Sequence, residues 1–126
     1  MLVVDLASDR PLAEQVEGGL RAAIAGGEVS PGDRLPTARQ LAGDLGVSLA
    51  TVARAYRALE SDGLVTTVRG RGTVVASATQ TDAGSEAAKA TVAERLREVV
   101  SDARLAGMTR KQFEKLASQT AGKLWS

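Results

Sequence analysis

Cysteine and histidine are both absent from this chain of 126 residues. Their absence excludes disulfides, thiolate nucleophiles, imidazole bases and the usual zinc ligands, so we expect no metal, no cofactor and no enzymatic activity. Aromatic residues make up only 2% of the chain although 44% is hydrophobic, so the core must consist of Leu, Val, Ile and Ala. No apolar run approaches the ~20 residues needed to span a bilayer, and no signal segment opens the chain. We therefore expect a soluble cytoplasmic protein without membrane association.

An excess of charge of one sign is also lacking, since the net charge is only +1. A strongly cationic chain would have indicated nucleic acid directly. The charges are nevertheless unevenly distributed, because residues 1–36 carry three arginines against six acidic residues and residues 37–72 carry five against three. Local positive charge suits docking to DNA, whereas a solvated, mixed-charge surface is the alternative that charge alone leaves open.

The pattern of residues 11 to 25 predicts a first helix. Its buried stripe recurs every four positions, at Leu12, Val16, Leu20 and Ile24. Pro11 is expected as the first helical residue, after Asp9 as the cap, and the glycines that follow residue 25 end the helix.

Two further helices joined by a tight turn are predicted between residues 37 and 62. Thr37 and Gln40 fit a capping box, and Gly46 supplies the left-handed residue at which the first of the two helices stops. Ser48 caps the second helix, whose inner stripe is Val52, Ala55, Tyr56 and Leu59. This arrangement is typical of a helix-turn-helix module, whose second helix enters a DNA groove.

The segments Leu64–Arg69 and Thr73–Ala76 are rich in Val and Thr and predict two strands, joined by the Gly70-Arg71-Gly72 reversal. We interpret them as a β-hairpin wing. Residues 78–84 are small and polar and are interpreted as a linker. Two helices are predicted after it, with apolar faces formed by Val92, Leu96, Val99 and Ala103 on the first and by Phe113, Leu116, Leu124 and Trp125 on the second.

Two helices of this size do not easily bury both faces alone, so pairing with a second copy is expected. The predicted fold is mainly α with a small β-wing. It comprises a winged helix-turn-helix in residues 1–77, the linker, and a helical dimerisation domain in residues 85–126.

The inner stripe of the second helix of the pair determines which residues face away from it. At 100° per residue the outward set is Ala50, Arg54, Arg57 and Ser61, with Thr51 on the flank. Arg54 can offer two donors to a guanine edge, and Arg57 is expected to meet the phosphate backbone. The alternative is that both arginines simply solubilise the helix.

Arg39 lies near a helix N-terminus whose free amides suit a phosphate, and the hydroxyl of Thr37 is a second candidate contact. An ion pair between Arg39 and Asp44 is the competing interpretation. Arg69 and Arg71 flank Gly70 at the hairpin tip, a shape and charge that fit the minor groove or the sugar-phosphate edge.

The run GDRLPTARQLAGDLGVSLATVARAYRALESDGLVTTVRGRGTVV strongly resembles the N-terminal winged helix-turn-helix of the GntR family of bacterial transcription regulators. With the preceding helix the resemblance covers about residues 8 to 77, and the two-helix tail looks like that of the YtrA-type subfamily, whose C-terminal helices mainly dimerise. The resemblance implies DNA contacts at Arg39, at Ser48, Leu49, Ala50 and Thr51 with Arg54, and at the wing residues Arg69, Gly70, Arg71 and Gly72.

Leu49 departs from the family pattern, which often has Arg at that position, or Pro in YtrA-type members. A leucine can touch a thymine methyl but cannot read guanine. The function we expect is a homodimeric, sequence-specific DNA-binding regulator, a repressor acting on an inverted repeat. The main alternative is a winged-helix module that binds another protein, and a small hydrolase or transferase is a distant third. The sequence indicates no particular effector.

Overall fold

The structure is a computed structural model and describes residues 2–76 and 86–125. The chain divides into two compact units, Met1–Thr79 and Gln80–Ser126. The linker predicted at residues 78–84 lies outside the described residues.

Helix α1, Leu12–Ala25, opens the first unit and buries Val16 and Leu20. The prediction of Asp9 as its cap is wrong. Pro11 occupies the capping position, and no side chain caps the helix. The Gln15 side chain instead binds the preceding segment, accepting from the Asp5 amide at 2.8 Å and donating to the Asp5 and Arg10 carbonyls at 3.1 and 2.9 Å. This amide network orders the chain before α1.

Helices α2, Ala38–Leu45, and α3, Leu49–Ser61, form the predicted pair. The capping box is present, with the Thr37 hydroxyl accepting from the Gln40 amide at 3.0 Å and the Gln40 side chain accepting from the Thr37 amide at 2.9 Å. Gly46 has a φ of 71° and ends α2 in the left-handed conformation, as predicted. A three-residue connection therefore separates the two helices and fixes their crossing.

Strands β1, Val65–Val68, and β2, Gly72–Val75, form an antiparallel hairpin. The turn between them has the Arg71 amide donating to the Val68 carbonyl at 2.9 Å, with Gly70 at a φ of 83° in the third position. That positive φ is what a type II turn requires. On its other edge, β2 pairs with the segment before α2, through an isolated bridge between Arg34 and Val74. The wing is therefore joined through β2 to the segment that leads into α2.

The first unit has one core, built from aliphatic residues and Tyr56. Val16, Val52 and Leu59 are completely buried. The stripe predicted for α3 is confirmed, since all four of its residues are buried. Arg21 of α1 forms an ion pair with Glu17 of the same helix at 2.9 Å and a second one with Asp62, the residue that follows α3. Helix α3 is thus held by the core along its inner face and by α1 at its C-terminal end.

The second unit consists of α4, Glu86–Leu105, and α5, Arg110–Leu124. The Thr109 hydroxyl accepts from the Gln112 amide at 3.2 Å and begins α5. Neither helix has a buried residue in the described chain. The apolar residues predicted to face a second copy are exposed or half-buried: Val92, Leu96, Val99, Ala103, Phe113, Leu116, Leu124 and Trp125.

Candidate nucleic-acid interface

The outer face of α3 is a row of small and basic side chains. Ala50, Arg54, Arg57 and Ser61 are all exposed, and Thr51 on the flank is half-buried. Among residues 2–76 and 86–125, none of the ion pairs involves Arg54 or Arg57. Both guanidinium groups therefore keep their full set of donors for an external partner.

The N-terminal turn of α3 uses some of its polar groups internally. The Ser48 hydroxyl accepts from the Thr51 amide at 3.1 Å and lies 2.8 Å from the Thr51 hydroxyl. Ser48 is thus the cap of α3, and its hydroxyl also engages the hydroxyl of Thr51. Leu49, next to them, is 42% exposed and has its apolar surface free for contact.

The N-terminal turn of α2 presents Arg39 to solvent. The competing ion pair with Asp44 is not formed in the part of the chain that the structure describes. Thr37 is exposed but engaged in the capping box. Arg39 therefore stands beside a helix N-terminus, where backbone amides and the helix dipole favour an anion.

The wing tip carries Arg69 and Arg71 on either side of Gly70, and all three residues are exposed. The two arginines differ in their contacts. Arg71 folds back and donates from Nη2 to the Gly32 carbonyl at 3.4 Å, which the sequence did not predict. In the described chain no hydrogen bond or ion pair engages the side chain of Arg69. Arg69 is thus the freer of the two cations at the tip.

A groove of about 200 Å³ separates α3 from the wing and opens at the start of α2. We call it the helix–wing groove; its lining residues are Ala38, Ala53, Tyr56, Arg57, Glu60, Val65, Thr67 and Thr73. The Tyr56 hydroxyl donates to the Pro36 carbonyl at 2.6 Å, and burial raises the pKa of Tyr56 to about 12. The Thr67 hydroxyl donates to the Glu60 carboxylate at 2.9 Å. Sequence reasoning missed both hydroxyl contacts, because each joins segments that only the folded chain brings together.

The described residues contain no cluster of acidic side chains suited to a metal ion. Within the same residues, no helix has the length and apolar character to cross a membrane.

The family model for the bacterial regulatory proteins of the gntR family matches residues 12–75, the stretch that contains the helix pair and the wing. The chain belongs to the GntR family. It is therefore a DNA-binding transcriptional regulator, and the winged helix-turn-helix is its DNA-binding element.

Two relatives match along most of their length and of this chain. The HTH-type transcriptional regulator Rv1152 of Mycobacterium tuberculosis is 44% identical over 110 residues, 86% of this chain and 84% of the relative. The HTH-type transcriptional repressor YtrA of Bacillus subtilis is 34% identical over 116 residues, 92% of this chain and 86% of the relative. Matches of this length extend beyond the winged helix-turn-helix into the C-terminal helices, in agreement with a GntR regulator of the YtrA type.

Solved structures agree with the fold. A transcriptional antiterminator from Listeria monocytogenes EGD-e superposes with a TM-score of 0.82 at 26% identity, covering 100% of this chain and 94% of that one. The DNA-binding domain of AraR in complex with its operator ORX1 superposes with a TM-score of 0.51 at 31% identity, covering 59% of this chain and 98% of that domain.

Proposed function

We propose that this GntR protein is a cytoplasmic, homodimeric repressor that binds an inverted-repeat operator through α3 and the wing. The observation that carries the proposal is the outer face of α3, where Arg54 and Arg57 are exposed and unpaired among the described residues. The likeness to the AraR DNA-binding domain, which was solved with its operator, supports the same mode of docking. The name of the YtrA relative supports repression.

In this proposal α3 enters the major groove from its N-terminal end. Ala50 is small and exposed, which lets the helix approach the base edges closely. Arg54 reads a guanine with two donors, and the exposed Leu49 contacts a thymine methyl. Ser48, which caps the helix, and Thr51, whose hydroxyl is hydrogen-bonded to that of Ser48, approach the bases or a phosphate with the same turn.

Phosphate contacts come from three places around that helix. Arg39 and Thr37 stand at the start of α2, and Arg57 stands one turn beyond Arg54 on α3. The wing tip supplies Arg69, together with Arg71, whose single long hydrogen bond to Gly32 is weak enough to exchange for a phosphate. Gly70 and Gly72, both at positive φ, let the backbone of the tip lie close to the sugar-phosphate edge.

Dimerisation through α4 and α5 is the second part of the proposal. In a single copy of the chain, Val92, Leu96 and Val99 are each more than half exposed. On α5, Leu116 is 50% and Trp125 82% exposed, with Phe113 and Leu124 half-buried beside them. Ala103 and Phe113 also line an apolar cavity of about 330 Å³ between the two helices. A second copy of the chain would cover these apolar faces.

DNA binding is tested by fluorescence anisotropy with a labelled random-sequence duplex over a series of salt concentrations. Counterion release predicts a linear log–log dependence with a slope of about −0.9 for each phosphate neutralised. We expect Arg57→Ala to make the slope shallower by about one such unit. Arg97→Ala removes an equal charge from α4 and serves as the control. An affinity that does not respond to salt supports the protein-interaction alternative and contradicts the proposal.

Dimerisation is tested by sedimentation velocity. The wild-type protein should sediment with twice the chain mass of 13.0 kDa. Leu96→Glu places a charge in the proposed interface and should give a monomer, whereas Arg97→Glu, on the next position of the same helix, should leave the dimer intact. Monomeric wild-type protein at all concentrations contradicts this part of the proposal.

A further inference from the structure

Glu60 is an acidic residue close to the exposed arginines of α3. It lies on the last turn of α3, three positions after Arg57, and is exposed. Among the residues that line the helix–wing groove it is the acidic one. Its carboxylate forms no ion pair with Arg57 within the described chain, and Oε2 instead accepts the hydrogen bond from Thr67.

Thr67 is well placed to transmit this contact to the wing. It lies on β1, paired across the hairpin with Thr73 of β2, and both side chains line the groove. The hydrogen bond from Thr67 to Glu60 therefore joins the C-terminal turn of α3 to the middle of the hairpin. It is a side-chain link that spans the groove between the two elements that are proposed to hold DNA.

We propose that Glu60 sets the selectivity of DNA binding. Its negative charge weakens sequence-independent binding, and its hydrogen bond to Thr67 holds the wing in the orientation that operator binding needs. The inference rests on the proposed function, since it assumes that α3 and the wing contact the same duplex.

The charge acts on sequence-independent binding because that binding is almost entirely electrostatic. Arg57 and Glu60 both line the groove, so a phosphate bound there by Arg57 would be repelled by the Glu60 carboxylate, which offsets about one favourable charge contact. Glu60→Gln removes this repulsion and keeps an oxygen that can accept from Thr67. We expect the slope of log affinity against log salt concentration on random duplex to steepen by about 0.9. If wild type and variant bind equally at 1 M salt, this slope gives the variant about eightfold tighter binding at 0.1 M salt.

The hydrogen bond acts on operator binding. Base contacts from α3 and backbone contacts from the wing must form together on one site, whereas sequence-independent binding tolerates many relative orientations. Thr67→Val removes the donor, keeps the shape of the side chain and leaves the carboxylate charge in place. We expect operator affinity to fall about two- to tenfold, the equivalent of one hydrogen bond, with random-duplex affinity unchanged.

The experiment compares wild-type protein with Glu60→Gln, Thr67→Val and Glu60→Ala by anisotropy. The probes are a random-sequence duplex and an operator recovered by in vitro selection with the wild-type protein. Glu98→Gln on α4 is the charge-matched control, and thermal unfolding verifies that each variant is folded. Glu60→Ala should bind random duplex more tightly than wild type, as Glu60→Gln does. On operator it should bind about two- to tenfold more weakly than Glu60→Gln, which has the same charge but keeps an acceptor for Thr67.

Two results would overturn the inference. If Glu60→Gln has the same salt slope on random duplex as wild type, the charge has no effect on selectivity. If Thr67→Val binds operator as tightly as wild type, the hydrogen bond has no effect on operator binding. Failure of the proposed function gives a different result, because the wild-type protein itself would then lack salt-dependent binding to duplex DNA.

Discussion

Tyr56 provides a direct optical test of the packing beneath α3. It is the chain's single tyrosine, so the ultraviolet absorbance of its phenolate reports this residue alone. The side chain is 9% exposed, its hydroxyl donates to the Pro36 carbonyl at 2.6 Å, and burial raises its pKa from 10.0 to about 12. We therefore expect the folded protein to form phenolate with a midpoint near pH 12 and the urea-unfolded protein with a midpoint near pH 10.

The same shift makes stability depend on pH. Between pH 10 and 12 the unfolded state releases the tyrosine proton while the folded state retains it, so the unfolded state binds fewer protons and stability falls as pH rises. Below pH 10 the contribution is fully present. A difference of about two pKa units corresponds to about 3 kcal/mol once both states have titrated, on the order of 1.4 kcal/mol per unit.

Tyr56→Phe separates the hydroxyl from the ring. At neutral pH the variant should lose about 1–2 kcal/mol of unfolding free energy, because the Pro36 carbonyl loses its donor. As pH rises towards 12 the wild-type advantage should shrink and then reverse, because the titration costs about 3 kcal/mol in all and the variant has no phenol to titrate. Urea unfolding at several pH values measures both effects. A phenolate midpoint near pH 10 in the folded protein, or equal stability of the variant at neutral pH, would refute the reasoning.

Three further predictions concern stability and are measured by urea unfolding of the purified protein. Leu59→Ala should cost about 2–5 kcal/mol because Leu59 is completely buried, and a cost below 1 kcal/mol would contradict the core described above. Gly46→Ala should cost about 1–2 kcal/mol because Gly46 has a φ of 71°. Gly43→Ala, in the interior of α2, meets no neighbour within 4 Å and should stabilise the protein. A Gly46→Ala variant more stable than Gly43→Ala would refute the turn geometry. Ser48→Ala should cost about 1 kcal/mol through loss of the α3 cap, and an unchanged midpoint would show that the cap is dispensable.

Features that depend on neighbouring residues in the chain were predictable from the sequence. The capping box at Thr37 and the left-handed Gly46 follow from local backbone chemistry, and the structure confirms both. The inner stripe of α3 was also predictable, because a helical period determines which side chains share a face. Once that stripe was known, the exposure of Arg54 and Arg57 followed.

Features that join distant segments were not predictable. Asp9 was expected to cap α1, but the amide of Gln15 orders the preceding segment instead, by contacts with backbone groups that local pattern does not reveal. The bridge between Arg34 and Val74 and the contact of Arg71 with Gly32 likewise depend on how the wing folds against the start of α2. The hydrogen bond between Glu60 and Thr67 likewise joins α3 to the wing, so the sequence alone does not reveal it.

The most direct test of the account is the base preference of Arg54. In vitro selection from a random DNA pool should recover an inverted repeat with the wild-type protein, and again with Arg97→Ala as the charge-matched control. Arg54→Ala should weaken binding to that repeat by about 1–3 kcal/mol and relax the preference at one symmetric base pair, while binding to scrambled DNA changes less. Equal losses on repeat and scrambled DNA, with unchanged base preferences, would contradict the claim that the outer face of α3 reads the operator.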